Sequence, residues 1–383
     1  MGLLHPPTQA DTNRYHPQMY TAALVLAAAS LSPGPHVPPP ATRNVVLVMM
    51  DGLRWQEVFR GADESYMTVD IGKVEKPDPL KARWIRPTPE ERREALMPFL
   101  WKTIVPKGQI FGNHDKGSTA VITNGIGVSY PGYAETLCGF VQPEIKDNRK
   151  FPNPSPTVLE WITKQPGFEG RAAAFGAWDT FSFIFRKDTC GFPVDDGTGP
   201  FTQGRLTPEI EAVNRVRSDT FYRWQGVAYD SFVVNLALPW IAANKPRIVF
   251  FGMGETDEWA HEYDYEKYLD AAHRCDAFVE RLWNQLQADD QYRGTTTMMI
   301  CPDHGRGDLS TSPRAWGDHG KKYPGSEDIW LAVIGPDTPA RGERTNVPVI
   351  TQSQIAATLA RSLGLDYHTA EPRAGKPIEG VTK

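Results

Sequence analysis

The chain has 383 residues, 40% of them hydrophobic and 23% charged, with a formal net charge of −5. That length can bury one large core or two modest ones, and the composition is that of an ordinary globular protein. The acidic balance, with no basic block, excludes a nucleic-acid-binding surface, and no stretch reaches the ~20 apolar residues of a membrane span.

In chain order, Ala22 to Leu31 reads AALVLAAASL and is followed by the Pro-rich run Pro33 to Pro40. Its length and the small residues after it suit a secretory signal, although the flank before it lacks net positive charge. Export, to the periplasm or the medium, is the expectation; a short buried helix is the alternative. Asn44 to Met50, NVVLVMM, is an unbroken apolar run that predicts a central strand of a parallel sheet. Arg247 to Met253, Thr296 to Cys301 and Ile329 to Ile334 follow the same rule. Helical spacing predicts helices over Ser218 to Asn244, Asp264 to Gln287 and Thr351 to Leu363, the last capped by Thr351 and closed by Gly364. Gly61 to Lys116 and Pro143 to Pro208 are richer in Pro, Gly and charge and read as long excursions walling the active site. Strands alternating with helices predict an α/β fold with a mostly parallel sheet flanked by helices on both faces. Residues 44–366 form its catalytic domain, residues 1–43 the signal segment and linker, and residues 367–383 a tail. The four cysteines form no CxxC pair, which excludes a zinc ribbon. Cys138 and Cys190 could pair in an exported protein, or all four remain buried thiols.

Three apolar runs lead straight into metal-ligand residue types. Asp51 follows the first, Asp257 and His261 the second, and Asp303 and His304 the third. Ligands of open α/β sheets bind beyond the carboxyl ends of the strands, so one sheet edge receives all five groups. Carboxylate and imidazole donors suit zinc or a similar divalent ion. Asp257 and His261, spaced i and i+4, can face a common ion, and His319 in a second Asp-His-Gly is a further ligand. Ser129, before Tyr130-Pro131-Gly132, sits where a helix begins; free N–H groups there favour an anionic phosphate, and a metal-activated hydroxyl can attack phosphorus. The alternative role for Ser129 is a helix cap. Asn124, Tyr133 and Arg306 are candidate substrate contacts. Arg306, Lys321 and Lys322 could hold a second negative charge.

The ordered set Asp51-Gly52, Ser129 before an aromatic-Pro turn, Asp257-x-x-x-His261, Asp303-His304-Gly305 and a late His319 resembles the alkaline phosphatase superfamily. The DGLRW and SYPGY segments are most similar to its type I phosphodiesterase/nucleotide pyrophosphatase branch and related bacterial members. The resemblance implies a phosphoric ester hydrolase acting on a small-molecule phosphodiester or phosphomonoester through a phosphoseryl intermediate. It implies two divalent metal ions, zinc in the first instance: one held by Asp51, Ser129, Asp303 and His304, the other by Asp257, His261 and His319. Gly132 stands where that branch carries an Asn soon after the nucleophile, which departs from nucleotide specificity. A sulfatase, a phosphonate hydrolase or a phosphoglycerate mutase-like phosphotransferase are the alternatives on the same core. No Cys-x-Pro-x-Arg segment is present, as formylglycine sulfatases require, and the stretch from Cys138 to Asp219 is short for the mutase's inserted domain.

Overall fold

The computed structural model describes residues 40–382; the signal-like run Ala22–Leu31 and nearly all of the Pro-rich linker lie outside the described residues. The strands are β1 Asn44–Met50, β2 Gln109–Phe111, β3 Ala120–Val121, β4 Ala172–Gly176, β5 Val194–Asp195, β6 Ile248–Met253, β7 Thr296–Cys301, β8 Asp328–Ile329, β9 Leu331–Ile334, β10 Gly342–Glu343 and β11 Ile350–Thr351. Eight of them form one sheet in the order β10-β2-β9-β7-β1-β6-β4-β5, and β11-β3-β8 form a small second sheet. The large sheet is parallel except at β9, which runs antiparallel to both β2 and β7.

The apolar runs become central strands because both faces of the sheet are covered. Along β1 the side chains alternate: Val46, Val48 and Met50 enter one hydrophobic cluster, while Val45, Leu47 and Met49 enter another. The helix Tyr265–Ala288 covers the first face, with Tyr268, Leu269, Phe278 and Leu282 buried. It begins where the sequence predicts, because Asp264 accepts a hydrogen bond from Lys267 N. The helices Ser129–Cys138 and Ile355–Ser362 cover the second face. Thr351 and Gln354 make a capping box that opens a short 3-10 turn before the latter helix, and Gly364, at φ +76°, follows its end.

Four expectations need correction. Ser218 to Asn244 is not one helix: helices span Pro208–Asp219 and Asp230–Asn244, and the segment between them is irregular, with Phe221 92% exposed. Gly226, at φ +78°, lies outside right-handed helical geometry. The excursion 61–116 is largely helical and buries Trp84, Leu96 and Trp101 in the first core. The excursion 143–208 supplies β4 and β5, whose short Ala-rich run AAAFG carries little apolar signal. The expected C-terminal tail continues the compact unit, with Tyr367, Ala374, Ile378 and Val381 buried in the second core. All four cysteines are buried, unpaired thiols.

Candidate active site

β1 lies between β6 and β7, with Met50 beside Met253 and Met49 beside Cys301. The three strand ends are therefore neighbours, and the loops leaving them deliver their side chains into one volume. Asp51 leaves β1 in a turn, where its backbone carbonyl accepts from Thr256 Oγ1 at 2.5 Å and Gly52 N donates to Asp303 Oδ1 at 3.0 Å. The short helix Glu255–His261 after β6 carries Asp257 and His261. Asp303 and His304 follow β7 and are fully buried.

His304 is the hub. Its Nδ1 lies 2.8 Å from the Gly305 carbonyl and donates there, which turns Nε2 toward the carboxylates. Around Nε2 stand Asp51 Oδ1, Asp303 Oδ2 and Ser129 Oγ, each at 3.4 Å, and Asp257 Oδ1 at 4.0 Å. Asp51 Oδ1 and Asp303 Oδ2 are buried and have no hydrogen-bond partner among the described residues. His319 repeats the pattern: Nδ1 lies 2.8 Å from the Gly127 carbonyl, and Nε2 is 2.9 Å from His261 Nε2 and 3.7 Å from Asp257 Oδ1. His261 Nε2 is also 3.3 Å from Asp257 Oδ2. Two groupings thus have donor atoms close enough to share an ion: Asp51, Asp303 and His304, and Asp257, His304 and His319. Carboxylate oxygens and imidazole nitrogens converging in this way are the donor set of a divalent-cation site.

Electrostatics agrees with that geometry. Burial pushes the Asp303 carboxyl well above the usual carboxylate range, and neighbouring Asp51 adds to it. Burial alone would lower His304, but Asp303 and Asp51 outweigh it and raise the imidazole to about 9. His319 is driven well below its ordinary value by burial, then by His304 and Arg306. Positive charge is favoured at the Asp51–Asp303–His304 corner.

Ser129 opens its helix, but not as a cap: Val128 holds that position and no side chain caps the end. The Ser129 hydroxyl instead faces His304. Few backbone donors remain there, since Pro131 has no N–H, Tyr130 N donates to Asn148 Oδ1 at 2.8 Å and Gly132 N to the Val128 carbonyl. The expected nest of free N–H groups is thereby reduced. Asn148, which carries no local sequence signal, brings a carboxamide to the same helix end. Gly132 faces inward: a Cβ there would lie 2.3 Å from the Asp303 carbonyl oxygen, so no larger residue fits this crossing.

The three expected substrate contacts serve the scaffold. Tyr133 is buried and donates to Asp51 Oδ2 at 3.1 Å. Arg306 is fully buried; it donates to the Gly52 carbonyl at 3.1 Å, to the Gly317 carbonyl at 2.6 Å and to the Asp257 carboxylate. Asn124 donates to Glu135 at 2.8 Å and accepts from Ile126 N and Gly127 N. Other supports also escaped the sequence reading. Glu135, a lone acid on an apolar helix, gathers Thr123 and Asn124. Asp230 accepts from Gly254 N at 2.7 Å and Glu255 N at 3.2 Å, while its own N donates to Glu255 Oε1 at 3.1 Å. This reciprocal clamp fixes the start of the helix that carries Asp257. A cleft of about 750 Å³ opens beside His319, between the Asn124–Val128 loop and residues 141–146 and 319–323.

The model of the Type I phosphodiesterase / nucleotide pyrophosphatase family matches residues 110–324, more than half of the chain. The chain belongs to this family. Membership makes it an ester hydrolase, and its two Asp/His groupings could hold metal ions. No curated protein matches its sequence. Solved structures show the same fold at low identity. Wild-type alkaline phosphatase PafA is 11% identical over 91% of this chain and 100% of that chain, with a TM-score of 0.58. The phosphonate monoester hydrolase of Silicibacter pomeroyi is 14% identical over 88% and 76%, with a TM-score of 0.51. The lipoteichoic acid synthase LtaP of Listeria monocytogenes is 11% identical over 85% and 73%, with a TM-score of 0.52. No helix among the described residues is long and apolar enough to cross a membrane.

Proposed function

We propose that this member of the type I phosphodiesterase family hydrolyses small phosphate esters through a phosphoseryl intermediate on Ser129, with two divalent cations, zinc by preference. The observation that carries the reading is the convergence around His304 Nε2 of the Ser129 hydroxyl and two buried carboxylate oxygens that have no hydrogen-bond partner among the described residues. Asp51, Ser129, Asp303 and His304 would hold one cation, and Asp257, His261 and His319 the other. Bound there, the cations supply positive charge to the reacting oxygens and favour ionisation of the serine hydroxyl. Ser129 Oγ then attacks phosphorus, the bond to the ester oxygen breaks, and water later cleaves the phosphoserine to release phosphate or a monoester. Tyr133 holds Asp51, and the Asp230–Glu255 clamp holds the Asp257 helix, so the ligands meet the substrate already oriented. Asn148 Oδ1 accepts from the N–H of Tyr130, the residue after the nucleophile, and its amide nitrogen would be the donor to a phosphoryl oxygen. The apolar run Ala22–Leu31 supports export, which sequencing the amino terminus of the mature protein tests.

Ser129→Ala tests the mechanism. Turnover of 4-nitrophenyl phosphate and of its bis-ester should fall on the order of 10³-fold, with zinc content and folding retained. Near-wild-type turnover in that variant removes the nucleophile, and activity unaffected by chelation removes the metals.

A further inference from the structure

The cleft beside His319 has one sign of charge. Lys146, Lys321 and Lys322 line it and no carboxylate does, in a chain whose net charge is −5. None of the three lysines forms an ion pair among the described residues. Of the acids nearest them in sequence, Asp147 pairs with Arg149 at 2.9 Å and Asp318 accepts from the Tyr263 hydroxyl at 2.8 Å, while the exposed Glu144 does not line the cleft. The lysines are exposed, but their backbones are fixed. Tyr323 N donates to the Gly320 carbonyl at 2.8 Å and Gly320 N to Ser326 Oγ at 3.0 Å, which pins the Lys321–Lys322 turn directly after His319. Across the cleft, Ile145 is buried and its N donates to the Gln142 carbonyl at 3.1 Å, which anchors Lys146. The floor between the two walls includes Val128 and Val141.

We propose that this cleft is the seat of the substrate's organic group, and that this group carries a second anionic centre, a carboxylate or a further phosphate, some distance from the reacting phosphorus. The assignment rests on the phosphate-ester reading above. A neutral alcohol group would gain nothing from three cations that no protein acid satisfies. An anionic one gains attraction at each, along with burial of its stem on the apolar floor. The lysines set specificity and take no part in bond making.

The test reads binding apart from turnover. Calorimetry on the zinc-supplemented full chain compares ω-phosphonoalkanoates of three to six carbons with unsubstituted alkylphosphonates of equal length. At low salt one chain length should bind about fivefold tighter than its uncharged partner, an advantage eroded by 0.5 M salt because exposed pairs are screened. In the triple variant Lys146→Gln, Lys321→Gln, Lys322→Gln the ratio should fall to about one. ω-Phosphonoalkyl phosphonates in a second series show whether the second group is a carboxylate or a phosphate. A ratio near one at every length in the wild type, or a ratio retained in the triple variant, overturns the proposal. Wild-type turnover of 4-nitrophenyl phosphate, measured alongside, reports on the phosphate-ester reading separately, since the ratio is obtained whether or not an ester is cleaved.

Discussion

Replacing Gly132 by alanine sets two opposed effects against each other at the point where the Ser129 helix crosses the end of β7. As a helix residue, alanine is favoured over glycine by about 1 kcal/mol. The new Cβ, however, would stand 2.3 Å from the Asp303 carbonyl oxygen and 3.0 Å from its carbonyl carbon. That is about 1 Å inside ordinary contact, and both atoms are backbone, so no rotamer change relieves it. Overpacking of this kind costs about 1–3 kcal/mol, which leaves a net loss of up to about 2 kcal/mol. The helix must retreat, and Ser129 Oγ, now 3.4 Å from His304 Nε2, retreats with it. A misplacement of about 1 Å at a reacting group costs on the order of 10²-fold in rate. The expected result is a modest fall in the urea midpoint and a fall in kcat/KM for 4-nitrophenyl phosphate far larger than the unfolded fraction explains. A variant with an equal or higher midpoint and turnover within twofold of wild type would refute the rigid apposition of helix and strand end.

Three more outcomes follow from the same geometry. Tyr133→Phe removes the donor to Asp51 Oδ2, and zinc affinity in a chelator competition should fall about tenfold, since hydrogen bonds to charged groups are worth about 1.5–3 kcal/mol; unchanged affinity would deny Tyr133 a positioning role. Asp230→Ala leaves Gly254 N and Glu255 N without their acceptor and should cost about 2–4 kcal/mol in urea unfolding and lower turnover together, whereas loss of stability alone would show that the Asp257 helix is fixed by other contacts. Burial raises the Asp276 carboxyl to about 7, against about 3.9 in the unfolded chain. Its contribution to stability is therefore full below about pH 4 and lost as pH rises through about 7, so Asp276→Asn should flatten the urea midpoint between pH 5 and 8, and a variant with the wild-type slope would refute this.

The sequence made the sheet edge legible because its strongest signals coincide there. Continuous apolar runs mark strands buried on both faces, and Asp51, Asp257 and Asp303 follow those runs within a few residues. The Tyr265–Ala288 helix was equally clear, since its apolar spacing and its Asp264 cap agree. β4 was missed because Ala172–Gly176 is short and built of small residues, which fit a crowded sheet without announcing it. The span from Ser218 misled because Phe221 and Trp224 continue the helical spacing by accident, one of them facing solvent. Within the site, residues that supply donor atoms could be read from type and spacing, whereas the supports could not. Tyr133, Arg306 and Asn124 were selected as substrate contacts, but their partners, Asp51, Gly52, Asp257 and Glu135, are set by packing. Asn148 and Asp230 carry no local pattern at all; only the fold brings them to the ends of the two helices they brace.

The placement of β1 between β6 and β7 also bears on how the chain reaches this state. Val45 pairs with Ile248 on one side and with Thr297 on the other. The earliest strand among the described residues thus lies inside the finished sheet, and both of its neighbours are made much later. Until they arrive, NVVLVMM offers two unpaired edges and two apolar faces. Contacts so distant in sequence make for slow folding and for long exposure of sticky intermediates. Any product ending before residue 295 would keep that strand permanently half-paired and would tend to aggregate. Production of the protein is therefore expected to be limited by its folding schedule more than by the stability of the final structure.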